Sequence, residues 1–297
     1  MIDELLNDLR FGVRTLMKNR GFALLAVVTL GLGIGANTAI FSVIHGVLLK
    51  PLPYADSDRL VLIRQSAPLA GRADAGVSIK EYFTYRDTAE DFDGLVEFHQ
   101  MNFDLLKRGE PDRVNTGVVS PNFFNVLGIT PILGRSFVAD DDKPGAPAVL
   151  IVSYSYWQRK FGGDRGIIGQ VFEMNDRPHT VIGVLPNVPH YPQENDVYMP
   201  TSACPFRAAA EQRINQNARV FSILNVFGKL KPGVTRERAA ANVDVLCRRF
   251  TADDKTAYRP GSGFTATTVG VREELTRNAR PMLLILLGTT GLILLIA

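Results

Sequence analysis

Apolar residues are concentrated in two uncharged segments near the ends of the chain. Residues 21–49 contain no Asp, Glu, Lys or Arg, and this run exceeds the ~20 residues that a helix needs to cross a bilayer core. Asn37 and His45 oppose insertion, but the many Leu, Ile, Val and Phe residues outweigh them. The apolar core of a signal peptide is shorter, roughly 7–15 residues, and is followed by a cleavage site of small residues that is not found before Pro51. The pattern predicts an uncleaved transmembrane helix over residues 21–49.

The second uncharged segment, residues 281–297, lies at the short limit for a membrane span. It ends without a polar flank, so we expect it to be the truncated start of a second transmembrane helix in a longer natural chain.

Residues 1–20 show a helical period of apolar positions separated by charged ones. We expect a cytoplasmic amphipathic helix on the membrane surface, or alternatively a helix packed on a partner protein. The basic residues Arg10, Arg14, Lys18 and Arg20 stand just before the first span. Because basic residues favour the cytoplasmic side, this cluster predicts that the N-terminus is cytoplasmic and that residues 50–280 lie outside.

Between the spans, short apolar runs are separated by Gly, Pro, Asn and Asp, which predicts a mixed α+β domain. The predicted strands are Leu60–Gln65, Gly94–Phe98, Phe103–Leu106, Val114–Val119, Ala148–Val152, Val171–Met174, Thr180–Val184, Ser222–Lys229 and Phe264–Val269. The predicted helices are Ile79–Thr88, Pro121–Leu127, Ser153–Phe161 and Thr235–Phe250. The proline-rich segment Leu185–Pro205 predicts an irregular connection.

Composition and motifs exclude several functional classes. A net charge of +3 with interleaved acidic and basic residues argues against nucleic-acid binding. The four histidines lack ligand spacing, and no GxxxxGK[ST] phosphate loop or GxSxG elbow occurs. The sequence therefore predicts a protein that is not an enzyme, with no catalytic, cofactor-binding or metal-binding residues. The cysteines, Cys204 and Cys247, are expected to be free thiols.

Two motifs resemble those of oxidoreductases. The spacing of Gly31, Gly33 and Gly35 is similar to that of a dinucleotide-binding loop. These glycines lie inside the apolar run, however, and no carboxylate that could bind the ribose follows about 20 residues later. We instead expect Gly31 and Gly35, which share one helix face, to allow another membrane helix to pack closely. Tyr156 and Lys160 imitate a YxxxK pair, and we interpret them as a core aromatic and a solvated cation.

The whole chain closely resembles the MacB-like, FtsX-type permeases of ABC transporters. The matching strings are DLRFGVR (8–14), KNRGF (18–22), GIGANTAIFSV (33–43), LKPLPY (49–54), FFNVLG (123–128), SY (153–154) with Trp157 and FGG (161–163), VIGV (181–184) and LKPGVT (230–235). The chain is most similar to the long bacterial permeases that carry this unit twice. The resemblance implies a periplasmic core domain at 50–280, with a porter-like part and an inserted β-rich lobe at about 134–216.

The resemblance also implies a function and partners. Such a permease lies in the bacterial inner membrane and transmits motion from a cytoplasmic ABC ATPase subunit to its periplasmic domain, for export or mechanotransmission. The expected partners are that ATPase, another permease half or copy, and the lipid bilayer. The alternative is a membrane-anchored periplasmic regulator or scaffold without transport.

Overall fold

The computed structural model describes residues 11, 12, 14, 17–106, 112–189, 191–215 and 219–296. Most of the amphipathic segment predicted at residues 1–20 lies outside the described residues. The helices are α1 (Arg20–Ile44), α2 (Ile79–Thr88), α3 (Phe123–Leu127), α4 (Tyr154–Phe161), α5 (Pro205–Glu211), α6 (Arg236–Asp253), α7 (Val271–Thr276) and α8 (Ala279–Ile296). The strands are β1 (Leu60–Ser66), β2 (Phe92–Leu106), β3 (Asp112–Val119), β4 (Leu133–Gly134), β5 (Val149–Val152), β6 (Val171–Met174), β7 (Arg177–Val184), β8 (Val197–Pro200), β9 (Asn225–Leu230) and β10 (Thr265–Gly270).

The chain divides into two compact units. One contains the two ends, up to Pro51 and from Leu275, and the other is Leu52–Glu274. We call the first the helical unit and the second the α/β unit.

The helical unit is built from α1 and α8. Helix α1 has 25 residues with a mean hydropathy of 1.9, which is long and apolar enough to cross a membrane, and α8 is a shorter apolar helix. The two helices pack against each other, with Gly33 facing Leu294. Thr290 Oγ1 donates a hydrogen bond to Asn37 Oδ1 over 3.1 Å. A small residue and an interhelical hydrogen bond are the contacts that hold apolar helices together in lipid.

In the α/β unit, the antiparallel strands β10, β1, β9 and the first half of β2 form a sheet, and its strands β1 and β9 are buried on both faces. Side chains of a strand alternate between faces, so Val61 and Ile63 pack under α2 and α6 while Leu60 and Leu62 pack toward α3. We call this sheet with α2 and α6 the sheet lobe.

The second half of β2 and the strands β3, β8, β5, β7 and β6 pair in sequence to form a closed ring. Strand β2 pairs with β3, β3 with β8, β8 with β5, β5 with β7, β7 with β6, and β6 returns to the end of β2. Apolar side chains from these strands and from α4 fill the interior. We call this ring with α4 the barrel lobe. Since β2 belongs to both lobes, it joins them.

Local sequence explains where the main helices begin. Ser78 Oγ accepts from Glu81 N while Glu81 accepts from Ser78 N, a capping box at the start of α2. Ser153 caps α4 and Thr235 caps α6 in the same way, through one hydrogen bond each. The mixed α/β architecture agrees with the sequence prediction, and α2 has the predicted bounds.

Two predictions about local structure are wrong. The strands predicted at Gly94–Phe98 and Phe103–Leu106 are one strand, β2, because β3 pairs with the polar residues between them. The segment Leu185–Pro205 is not wholly irregular, since it contains β8, which is buried between β3 and β5. Pro200 is the last residue of this strand and leaves its central backbone free to pair. The domain limits 50–280 and the inserted lobe at 134–216 stay predictions.

Candidate functional site

A cleft of about 790 Å³ lies between the sheet lobe and the barrel lobe. We call it the interlobe cleft. Its walls come from α2, the middle of β2, the turn after β3, the segment 139–148 and α5. Helix α5 crosses from one lobe to the other, because Cys204 before it packs in the barrel core and Ala210 within it packs in the sheet-lobe core.

A buried ion pair forms the floor of this cleft. Arg207 on α5 donates to both carboxylate oxygens of Glu97 on β2, over 2.9 and 2.7 Å, and the two side chains are 1% and 2% exposed. Arg207 also donates to Glu211 over 2.8 Å. Bidentate pairing satisfies the planar guanidinium and fixes its direction. The pair therefore joins α5 to the strand that both lobes share.

The electrostatics of this pair are set by burial. Removal from water raises the pKa of the Glu97 carboxyl, and the adjacent Arg207 guanidinium acts in the opposite direction. The ring of Phe83 on α2 lies 5.5 Å from the Arg207 guanidinium and 4.7 Å from that of Arg86. The contact between the Arg207 guanidinium and the Phe83 ring favours packing of α2 on α5.

A second arginine, Arg219, is only 11% exposed and holds the chain where it returns to the sheet lobe. Arg219 donates to Glu81 on α2 and to the carbonyl oxygens of Ala75 and Gly76, over 2.6 and 3.1 Å for the carbonyls. Tyr258 also donates to Glu81. Glu81 thus serves both the helix cap and this network. Charge-assisted hydrogen bonds therefore hold this segment at two points, through Arg207 on Glu97 and through Arg219 on Glu81.

The barrel side of the cleft is held by Asp142. Its carboxylate accepts from Thr201 Oγ1 over 2.8 Å and from Ser202 N over 2.7 Å. Burial raises the pKa of this carboxyl, against the effect of those hydrogen bonds. The triple aspartate at 140–142 is therefore part of a structural turn.

A histidine, a methionine and a cysteine meet behind the cleft wall. His99 and Cys204 are buried, and His99 Nε2 lies 3.8 Å from Cys204 Sγ. Cys204 Sγ is 3.4 Å from Met101 Sδ. Burial, together with the charge of Arg207, lowers the pKa of His99 to about 3. Among the described residues, no group of three or more His, Cys, Asp and Glu could hold a metal ion.

The residues singled out from sequence are spread over both units. A Cβ added at Gly31 or Gly35 meets no atom of the described residues within 4 Å, whereas one at Gly33 lies 2.7 Å from Leu294 Cδ1. The packing role predicted for Gly31 and Gly35 therefore stays a prediction, on a face that α8 does not cover. That role would need a helix outside the described residues.

The aromatic and cysteine predictions are confirmed. Tyr156 is buried, its hydroxyl donates to Asp112 over 3.1 Å, and Lys160 is on the exposed side of α4. Cys204 and Cys247 are both free and buried. Sequence analysis missed the Glu97–Arg207 pair. Its one sequence signal is an isolated glutamate between the apolar residues of β2, where a charge needs a partner.

Comparison with known proteins agrees with this architecture. The family model of the MacB-like periplasmic core domain matches residues 23–246. No curated protein sequence matches the chain.

Two solved structures have a similar fold. A permease-protein domain from Porphyromonas gingivalis superposes with a TM-score of 0.55 at 17% identity, covering 73% of this chain and 92% of that domain. The periplasmic region of MacB from Actinobacillus actinomycetemcomitans superposes with a TM-score of 0.53 at 15% identity, covering 82% of this chain and 98% of that region. The chain belongs to the MacB-like periplasmic core domain family of ABC transporter permeases, as its sequence motifs indicate.

Proposed function

We propose that this chain is the permease subunit of an ABC transporter and transmits ATP-driven motion from a cytoplasmic ATPase to its α/β unit in the periplasm. The observation that carries the proposal is the chain connectivity. Both ends of the α/β unit continue into helices, α1 and α8, that pack on each other through Gly33 and through the Asn37–Thr290 hydrogen bond. Movement imposed on that helix pair would reach the α/β unit at two points.

The interior of the α/β unit supports a mechanical role. A continuous strand, β2, runs through both lobes. The buried Arg207 and the half-buried Arg219 hold the segment that crosses between them. Close-packed protein interiors have low compressibility and transmit strain, so an applied force would move each lobe with little internal deformation. The interlobe cleft is the place in the α/β unit where such a movement would change the exposed surface.

The expected result for the double substitution Gly31→Leu and Gly35→Leu is a loss of coupling. About 100° separates successive helix residues, so these glycines lie on the side opposite Gly33 and are open to another permease half or copy. Added bulk there would block close packing. The full-length chain with its ATPase in lipid should lose substrate-stimulated ATP hydrolysis, while the α/β unit keeps its circular dichroism.

Gly288→Leu is the matched control, since it adds the same side chain at an open position of the other helix, α8. It should leave the stimulated hydrolysis unchanged. Unchanged hydrolysis in the double variant would refute the packing role. ATP binding by the purified chain alone would refute the proposal that a separate subunit binds the nucleotide. Activation of an envelope enzyme by this chain in the absence of any ATPase would support the alternative hypothesis, a membrane-anchored regulator.

The orientation has its own test. Asp56 lies just after the first helix, and its side chain is 56% exposed. A membrane-impermeant maleimide should label Asp56→Cys while the cytoplasmic membrane is intact, and should label Lys18→Cys only after lysis. The native cysteines are buried, so they give little background. Labelling of Asp56→Cys that requires lysis would reverse the topology.

A further inference from the structure

Three side chains with nitrogen and sulfur donors converge where β2 passes from the sheet lobe to the barrel lobe. His99 and Met101 are two residues apart on β2, so they point to the same face of the strand. Cys204 reaches that face from the turn before α5. Its Sγ is 3.8 Å from His99 Nε2 and 3.4 Å from Met101 Sδ.

The His99 ring packs edge-on against the ring of Phe221, 5.0 Å away, but its nitrogens are poorly satisfied by hydrogen bonds. It is 1% exposed, and its Nδ1 has no hydrogen-bond partner among the described residues. The polar contact of its other nitrogen is the long one to the cysteine sulfur. A buried polar side chain left in this state costs free energy. A metal ion bound at Nε2 would replace the long sulfur contact of that nitrogen with a coordinate bond, while Nδ1 carries the ring proton.

We propose that His99, Met101 and Cys204 form a binding site for a soft monovalent metal ion, with Cu⁺ as the ion of this class that it fits. Thiolate and thioether sulfur select Cu⁺, and imidazole is also a good ligand for copper. Metal–sulfur bonds of ~2.3 Å and metal–nitrogen bonds of ~2.0 Å place donors of a three-coordinate site roughly 3.5–4 Å apart. The two observed separations need only small adjustments to meet this geometry.

Charge balance favours a monovalent ion over a divalent ion at this site. On binding, the Cys204 S–H bond breaks, the proton leaves to water and a sulfur–copper bond forms, while copper stays in the +1 state. One positive charge replaces another, so the net charge of the buried site does not change. A divalent ion would add a charge in a buried place near the Arg207 guanidinium, which is unfavourable.

An ion can approach from the methionine side. Met101 is half-buried, whereas the other two ligands are buried. Ala203, next to Cys204, lines the interlobe cleft. The site therefore lies at the junction of the lobes, between the strand and the helix that the Glu97–Arg207 pair joins. Bound Cu⁺ would add a further link across the same junction.

The test uses the purified full chain in detergent, titrated with Cu⁺ under anaerobic reducing conditions against a coloured Cu⁺ chelator. The wild type should remove one Cu⁺ per chain from the chelator, and X-ray absorption should show two sulfur ligands and one nitrogen ligand. Cys204→Ala should weaken this binding at least about 100-fold, since a direct ligand matters more than a supporting group. Cys247→Ala should not change it, because Cys247 packs in the sheet-lobe core.

Met101→Leu keeps the side-chain volume and the fold, and should also weaken binding. The circular dichroism of each variant shows that it is folded. Equal binding by wild type and Cys204→Ala would mean adventitious surface copper and would overturn the site. So would loss of binding in Cys247→Ala alone, no binding by the folded wild type, or tighter binding of Zn²⁺ than of Cu⁺ at the same ligands.

Discussion

Replacement of Arg207 by methionine should lower the free energy of unfolding by about 3–5 kcal/mol, the usual effect of removing one partner from a buried ion pair. The guanidinium makes two hydrogen bonds to Glu97, and both side chains are almost fully buried. Methionine fills most of the space of the arginine side chain. It leaves the Glu97 carboxylate, which is 2% exposed, without its arginine partner. The remaining cost is the desolvation of that charge.

Urea unfolding of the full chain in detergent, followed by circular dichroism, measures this effect. Arg248→Met is the matched control, because the Arg248 pair with Asp244 is on the surface of α6 and its arginine is 76% exposed. An exposed pair at this spacing contributes about 0.3–0.5 kcal/mol. The double variant Glu97→Leu with Arg207→Met should recover much of the loss, since it leaves no buried charge. Equal effects of Arg207→Met and Arg248→Met would contradict the structural role of the pair.

Replacement of Phe123 by alanine should cost about 3–5 kcal/mol, as is typical when a buried aromatic ring is removed. Phe123 begins α3 and is 1% exposed. Its ring lies 5.2–6.1 Å from the rings of four neighbours. These are Phe98, Phe124, Tyr198 and Phe227. Because Phe227 belongs to the sheet lobe and Tyr198 to the barrel lobe, the cavity would open between the lobes.

Phe206→Ala is the control for this prediction, since Phe206 is 58% exposed on α5. A surface change of that kind usually stays within about 0.5 kcal/mol. Thermal unfolding of both variants in the same detergent compares them directly. If Phe123→Ala unfolds at the temperature of Phe206→Ala, the aromatic cluster does not stabilise the junction.

Features that depend on neighbouring residues could be predicted from the sequence. The apolar run that forms α1 is visible because burial in lipid requires continuous hydrophobicity. Helix α2 has its predicted ends because Ser78 and Glu81 form a capping box within one turn. The apolar face of α6 that buries Val243, Leu246 and Cys247 follows from helical spacing.

Features that depend on distant strands could not be predicted in this way. The polar stretch in the middle of β2 resembles a break, and only pairing with β3 makes it a strand. Strand β8 has four residues, the last of which is Pro200, and is too short for its own periodicity to reveal it.

The candidate site is the clearest case of this division. Glu97 and Arg207 are 110 residues apart, and His99 and Cys204 are 105 residues apart. No local pattern relates such positions, because contact between them follows from the path of α5 across the two lobes. The sequence by itself determined the membrane helix, the family and the mixed α/β class, since these rest on hydrophobicity and on motifs of consecutive residues. Only the tertiary structure decided which charges are buried together and which sulfur and nitrogen donors meet, since burial and proximity are properties of the packed chain.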